Sequence, residues 1–198
     1  MKRILALLSA VLALTAGAVA QTTWKVDNVH SNVKFAVSHL IISEVEGSFK
    51  VYSGALTFGN SDLTNAEVDF AVDVASINTD NVMRDGHLRS DDFFNAEQFP
   101  KMTFKSTAWK KLDEKRYELE GDLTIRDITK PVSFAVVFGG TIKDPWGNMK
   151  AGFKATTTIN RFEYGLKWNG LTEAGGMTVG KEVTIVLNLE FTQNKASQ

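Results

Sequence analysis

Residues 66–74 read Ala66-Glu67-Val68-Asp69-Phe70-Ala71-Val72-Asp73-Val74. Apolar side chains at the even positions alternate with mostly acidic ones. Successive side chains of an extended chain point to opposite faces, so a period of two marks a strand with one dry face and one wet face. The pattern recurs downstream. Tyr117, Leu119, Leu123 and Ile125 alternate with Glu118, Glu120, Asp122 and Thr124, and Val183, Ile185, Leu187, Leu189 and Phe191 alternate mostly with polar residues. Shorter runs occur at 33–37, 49–51, 102–104, 132–138 and 153–159. Turn chemistry separates them at Gly59-Asn60-Ser61-Asp62, at 112–115, at 127–131 and at Asp144-Pro145-Trp146-Gly147-Asn148. Short connections make sequence neighbours antiparallel. The fold class is therefore all-β: about eight antiparallel strands in up-and-down order, closing into a barrel, with a two-sheet sandwich as the alternative.

Residues 79–99 break the alternation. Asp80 or Asn81 caps a helix start, Val82, Met83 and Leu88 share a loosely helical face, and Ser90-Asp91-Asp92 has the chemistry of a second cap. One or two short helices are expected, inserted between strands four and five and lying across one end of the barrel.

The amino terminus has the three-part pattern of a secretory signal peptide. Lys2 and Arg3 precede a largely apolar run over 4–19, and Ala18-Val19-Ala20 is a small-residue cleavage site. The run is short for a membrane span, which needs roughly 20 apolar residues. The expected organisation is a signal peptide over 1–20 and one domain over 21–198, exported to the periplasm, with no integral membrane span after cleavage. The formal charge of −1 includes Lys2 and Arg3. Their loss leaves a more acidic chain, which points away from nucleic acid as a partner. The chain has no cysteine. Disulfides, thiolate metal sites, iron–sulfur clusters and thiol nucleophiles are thereby excluded.

An eight-stranded barrel is just wide enough to be filled by its own side chains or to hold one small ligand. Gly47, Ser53, Ala55, Ala66, Ser106, Ala108, Gly121, Ala151 and Ala155 are read as inward and small, leaving room along the axis. His30, His39 and His87 lack metal-ligand spacing, so no metal is expected. Ser90, His87 and Asp85, or His30 with Ser31, contain the residue types of a hydrolytic site, but no Gly-x-Ser-x-Gly elbow supports them. Arg84-Asp85-Gly86-His87-Leu88-Arg89 is either a solvated charged face or a polar lip at the barrel mouth, where cations meet an anionic or carbonyl head group.

Eight segments occur in the order found in one family. They begin with Val29-His30-Ser31-x-Val33-x-Phe35-x-Val37-x-His39 and Glu46-Gly47-Ser48-Phe49. Ser76-Ile77-Asn78-Thr79 and residues 84–94 follow, then Phe99-Pro100-Lys101-Met102-Thr103-Phe104 and Gly121-Asp122-Leu123-Thr124-Ile125. Thr129-Lys130-Pro131-Val132 and residues 159–165 complete the set. On these the chain resembles the YceI-like family of periplasmic polyisoprenoid-binding proteins. The resemblance implies a lipocalin-like eight-stranded barrel with a helical insert, often a homodimer, whose apolar tunnel holds a prenyl chain or an isoprenoid quinone. The chain departs from the family at Arg126-Asp127-Ile128, where a glycine-valine pair is usual. That charge is expected at a turn away from the mouth.

The leading expectation is a carrier for an apolar lipid, with no cofactor beyond a bound isoprenoid or quinone and no catalytic residue. Phe35, Val37, Phe49, Val68 and Phe70, with Phe104, Leu119, Phe134 and Phe153, line the tunnel. Arg84, His87 and Arg89 hold the head group. Two alternatives stand beside it: a cofactor-free enzyme acting on a lipid through His87 and Asp85, and a structural or partner-binding barrel with a filled core.

Overall fold

Alternating side chains need a partner strand on each edge and a dry interior on one face. The computed structural model satisfies both by closing the sheet on itself. It describes residues 22–59, 63–170 and 177–194. The segment 1–21, which holds the expected signal peptide, and most of the 59–62 turn lie outside the described residues. The strands are β1 (Thr22–Val26), β2 (Asn32–His39), β3 (Ser43–Phe49), β4 (Tyr52–Phe58), β5 (Glu67–Asp73), β6 (Ile77–Asn78), β7 (Lys101–Lys111), β8 (Arg116–Ile125), β9 (Ile128–Lys143), β10 (Met149–Asn160) and β11 (Val179–Gln193). One α-helix, α1 (Val82–Arg89), lies between β6 and β7.

These strands make eight staves, because the first three staves are each broken. β11 pairs with β2 along its first part and with β1 at its end. β3 and β4 pair in turn with β2 and β1, while β6 and β5 pair with β3 and β4. From β5 through β7, β8, β9, β10 and β11 each strand pairs with the next, so the barrel closes in meander order. Local chemistry explains the breaks. Asp27 accepts from the backbone N–H groups of Val29 and His30, which bends the first stave. Asp73 caps the 3-10 helix Val74–Ser76, which interrupts the third. A closed ring leaves no free edge among these staves, which is how the barrel avoids edge-to-edge association.

The stave count moves the helical insert. It follows the third stave rather than the fourth, since β1 with β2, β3 with β4 and β5 with β6 each make one stave. Only one helix forms. Asn81 is its cap, accepting from the Arg84 N–H at 3.0 Å. Beyond Ser90 the chain continues as turns, with Phe93 and Asn95 both donating to the Ser90 carbonyl. Val82 and Met83 do not pack inward. They are 85% and 86% exposed, while Asp85 is the buried residue of the helix.

Parity also fails in two places. In β4 the inward residues are Tyr52, Gly54, Leu56 and Phe58, so Ser53 and Ala55 stand on the opposite face. In β7 a bulge between Ser106 and Ala108 shifts the inward set from Met102 and Phe104 to Trp109, and Ala108 is exposed.

A charged cluster joins the first stave to β10 and β11. The Lys150 ammonium lies 2.7 Å from Asp27 and 3.0 Å from Glu190, and His30 lies 3.0 Å from Asp27. Asp27, His30 and Glu190 have the donor types for a metal, but Lys150 already supplies the cation between the two carboxylates. Lys150 holds the Asp27 carboxyl well below the usual carboxylate range, against the upward push of burial. Both charges are half-buried, so Lys150→Met, which leaves Asp27 without its ammonium partner, is expected to cost about 1–3 kcal/mol at pH 7. A depressed carboxyl contributes fully above its unfolded value of about 4 and progressively less below it. The stability difference between wild type and variant, measured by urea unfolding, should therefore narrow as the pH falls from 7 towards 3. A constant difference would show that Lys150 acts through packing alone.

Candidate ligand-binding site

The inner faces of the staves enclose a cavity of about 130 Å³. Twenty-three residues line it, and all but Lys34 and Thr103 are apolar or aromatic. Those two residues are themselves exposed on the outer face. Phe35, Phe49, Val68 and Phe70 line this bore, as do Phe104, Leu119, Phe134 and Phe153, in agreement with their alternation. A cavity of this size counts against a filled core.

Space survives beside so many rings because three of them sit against glycine. A methyl group built on Gly47 would come within 2.3 Å of the Phe35 ring, one on Gly54 within 2.3 Å of Phe70, and one on Gly121 within 2.4 Å of Phe104. Phe35 and Phe70 sit directly opposite their glycines in the strand register. Aromatic rings covering cross-strand glycines keep the wall closed and the axis clear. Gly47 and Gly121 are thus inward as the alternation implies, but their role is to seat a ring rather than to leave a gap.

A second chamber of about 200 Å³ opens at the helix end of the barrel. Val37 belongs here and not to the bore. His39 and Val45 of the β2–β3 hairpin, Arg84 and His87 of α1, and Phe93 and Trp168 complete much of its wall. Phe35 lines both chambers and divides them. An apolar cavity of about 150 Å³ holds one benzene. The bore as it stands therefore suits roughly one ring or prenyl unit, and a longer chain has to occupy both chambers past Phe35.

The helix polar groups are brought together only in part. Arg84 and His87 line the mouth chamber, whereas Arg89 lines neither chamber. Arg84 spends two donors on Thr79, from Nε to the hydroxyl at 2.8 Å and from Nη2 to the carbonyl at 2.8 Å. Asp85 accepts from the same residue, from the Thr79 N–H at 2.8 Å and the hydroxyl at 2.6 Å. The Arg-Asp pair is thus first a clamp on the chain entering the helix. His87 pairs with Asp92 at 2.8 Å and lies edge-on to Phe93 and Trp168, with centroids 5.1 and 5.0 Å away. His87 and Asp85 form no dyad, and the Ser90 hydroxyl donates to the His87 carbonyl rather than facing the ring. His30 pairs with Asp27, and the Ser31 hydroxyl donates to the Glu190 carbonyl. Neither imagined hydrolytic set is assembled. His39 and His87 share the mouth, away from His30, so the three histidines form no common metal site.

Two arginines that build this end of the barrel carry no alternation signal. Arg161 is 3% exposed. Its guanidinium donates to the carbonyls of Gly180 at 2.8 Å, Val179 at 3.0 Å, Trp168 at 2.8 Å and Leu166, and it stacks over the Phe162 ring. Burial pushes its pKa down. The residue therefore holds Trp168 against the mouth. Arg126, expected away from the mouth, is in fact at the same end. Its Nη1 donates to the carbonyls of Phe93 and Gly165, tying the helical insert to the loop after β10.

Comparison with known proteins agrees with this architecture. A family model described as a YceI-like domain matches residues 24–191. A UPF0312 protein of Staphylococcus epidermidis is 39% identical over 172 residues, covering 86% of this chain and 98% of that one. The crystal structure of the Campylobacter jejuni YceI protein is 32% identical with a TM-score of 0.64, covering 80% of this chain and 90% of that one. A polyisoprenoid binding domain from Saccharophagus degradans, implicated in plant cell wall breakdown, superposes with a TM-score of 0.61 over 87% of this chain and 99% of that one. At 15% identity this last likeness concerns the fold alone. With its closed eight-stave barrel and a match over nearly all the described residues, the chain belongs to the YceI-like domain family.

Proposed function

We propose that this protein is a carrier that holds an elongated apolar lipid, a polyisoprenoid, an isoprenoid quinone or a similar chain, and performs no chemistry on it. The observation that carries this reading is the bore itself, an internal cavity walled by apolar and aromatic side chains. Water gains little in such a space, whereas each CH₂ moved into it from water contributes about 0.8 kcal/mol. The polyisoprenoid binding of the Saccharophagus degradans domain, a protein of the same fold, points the same way. The leader-like pattern over residues 1–20 supports export to the periplasm, where an apolar lipid needs a shielded path between membranes. Arg84 and His87, with His39, are the basic groups that line the mouth chamber and are offered to a head group there. Arg89 is left out by position.

The test is extraction of the purified protein with organic solvent followed by mass spectrometry, together with titration of lipid-free protein with prenyl quinones. A stoichiometric lipid or saturable quinone binding is the expected result. Neither lipid nor binding would overturn the carrier reading. Turnover of a bound lipid that disappears in His87→Ala while binding persists would replace it with an enzymatic one.

A further inference from the structure

Within the bore, one polar atom stands apart. The Trp109 indole Nε1–H is buried and has no hydrogen-bond partner among the described residues. The residue is 7% exposed and lines the cavity. Native proteins leave few buried donors unpaired, because each such donor forfeits the hydrogen bonds it would make in water. A single water gives no general remedy here. A buried water typically needs two to four polar partners, and apart from Lys34 and Thr103, which are exposed on the outer face, the cavity wall is apolar and aromatic.

The placement of this indole depends on a backbone irregularity. Residues 102 and 104 of β7 face inward, and strict alternation would continue with 106, 108 and 110. The bulge between Ser106 and Ala108 resets the register, exposing Ala108 and turning Trp109 in. Bulges concentrate where a side chain must be re-aimed at a site. Ser106 is not wasted, since its hydroxyl accepts from the Val68 N–H at 2.7 Å. The ring is held at the far end of β7 from the mouth, edge-on to Tyr117 at 6.1 Å and tilted against Phe153 at 6.5 Å.

We infer that Trp109 Nε1–H is a ligand-recognition donor, and that the natural ligand carries a hydrogen-bond acceptor, a carbonyl, ether or hydroxyl oxygen, at the end that reaches deepest into the barrel. This rests on the carrier reading and deepens it. The ligand is an apolar chain with an oxygen at its buried end, not a pure hydrocarbon, and its polar recognition does not reside only at the mouth. An acceptor placed at Trp109 gains a hydrogen bond and relieves an unpaired donor in one step, so discrimination is larger than for a bond formed in water.

The experiment uses the chain from Gln21 onward, which contains every described element, and two probes of equal length, hexadecane and 2-hexadecanone. Their dissociation constants are measured for wild type and for Trp109→Phe, which keeps an aromatic ring and removes the donor. Any loss from the smaller ring acts on both probes, so the ratio of the two constants isolates the hydrogen bond. The preference for the ketone over the alkane is expected to fall roughly tenfold in the variant. In wild type, the Trp109 indole N–H resonance should move downfield with the ketone and not with the alkane, a readout independent of the variant. Tight alkane binding with an unchanged preference, or equal movement of the indole resonance with both probes, overturns the inference and leaves the carrier reading standing. Failure of both probes to bind wild type overturns the two together.

Discussion

Gly54→Val is expected to weaken binding of a prenyl chain such as geranylgeraniol by roughly 100- to 1,000-fold while the barrel stays folded. The Phe70 ring lies on Gly54, and a Cβ there would sit 2.3 Å from its Cδ2. Only that side chain is in the way, so the ring and not the backbone must yield. Tyr52 stacks on Phe70 at 5.8 Å and limits its escape along the wall. The ring therefore turns into a bore of about 130 Å³. An apolar cavity of about 150 Å³ holds one benzene, so a single displaced ring is enough to occupy it. Excluding one five-carbon unit forfeits about 4 kcal/mol at about 0.8 kcal/mol per CH₂, the upper end of the stated range. Overpacking itself should cost about 1–3 kcal/mol of stability. Calorimetric titration measures the binding and thermal melting the stability. Adding Phe70→Leu to the variant should restore most of the affinity. Full affinity in Gly54→Val alone would show that the ligand does not pass this level of the barrel.

Arg161→Met is expected to destabilise the protein by about 3–5 kcal/mol, above the range of most single substitutions. Removing the guanidinium leaves four carbonyls without their donor, and a buried group so abandoned costs about 1–3 kcal/mol unless water reaches it. Arg161→Lys should recover only a minor part, because an ammonium cannot reproduce the planar fork that serves both Leu166 and Val179. For a chain of this size each kcal/mol moves the melting midpoint by about 2–4 °C, so a fall on the order of 10 °C is the expected measurement. Hydrogen exchange should show the largest loss of protection at Leu166 and at Val179 to Gly180. An unchanged midpoint would mean that the loop after β10 is anchored elsewhere.

Both predictions depend on features that alternation does not display. Period two correctly placed Phe35, Phe49, Phe70, Phe104, Leu119, Phe134 and Phe153 around one interior, because side-chain parity is a local property of an extended chain. It failed at Ala108, Ser53 and Ala55. A bulge or a broken stave resets parity without altering composition. The helical insert was expected after a fourth strand, whereas it follows the third stave, because strand number depends on which segments join into one stave and not on any single run. Val82 and Met83 were read as a packing face, yet Asp85 is the residue that goes in, because two donors of Thr79 await its carboxylate. Arg126 was expected at a turn away from the mouth, and alternation gave Arg161 no place. Their partners are backbone carbonyls from distant segments, and no residue type advertises a carbonyl.

By itself, the sequence determined that this chain is a cysteine-free all-β fold of antiparallel strands with an apolar interior, interrupted by a helical insert, since those properties follow from composition and from a period that each strand carries alone; it left closed barrel and sandwich both open. Only the tertiary structure decided the size and shape of the interior. Whether an inward glycine leaves a gap or seats a ring, which of two chambers a residue lines, and whether an indole N–H finds a partner depend on what faces it across the barrel. Facing partners are set by register, bulges and closure, which are properties of strand pairs and not of single strands.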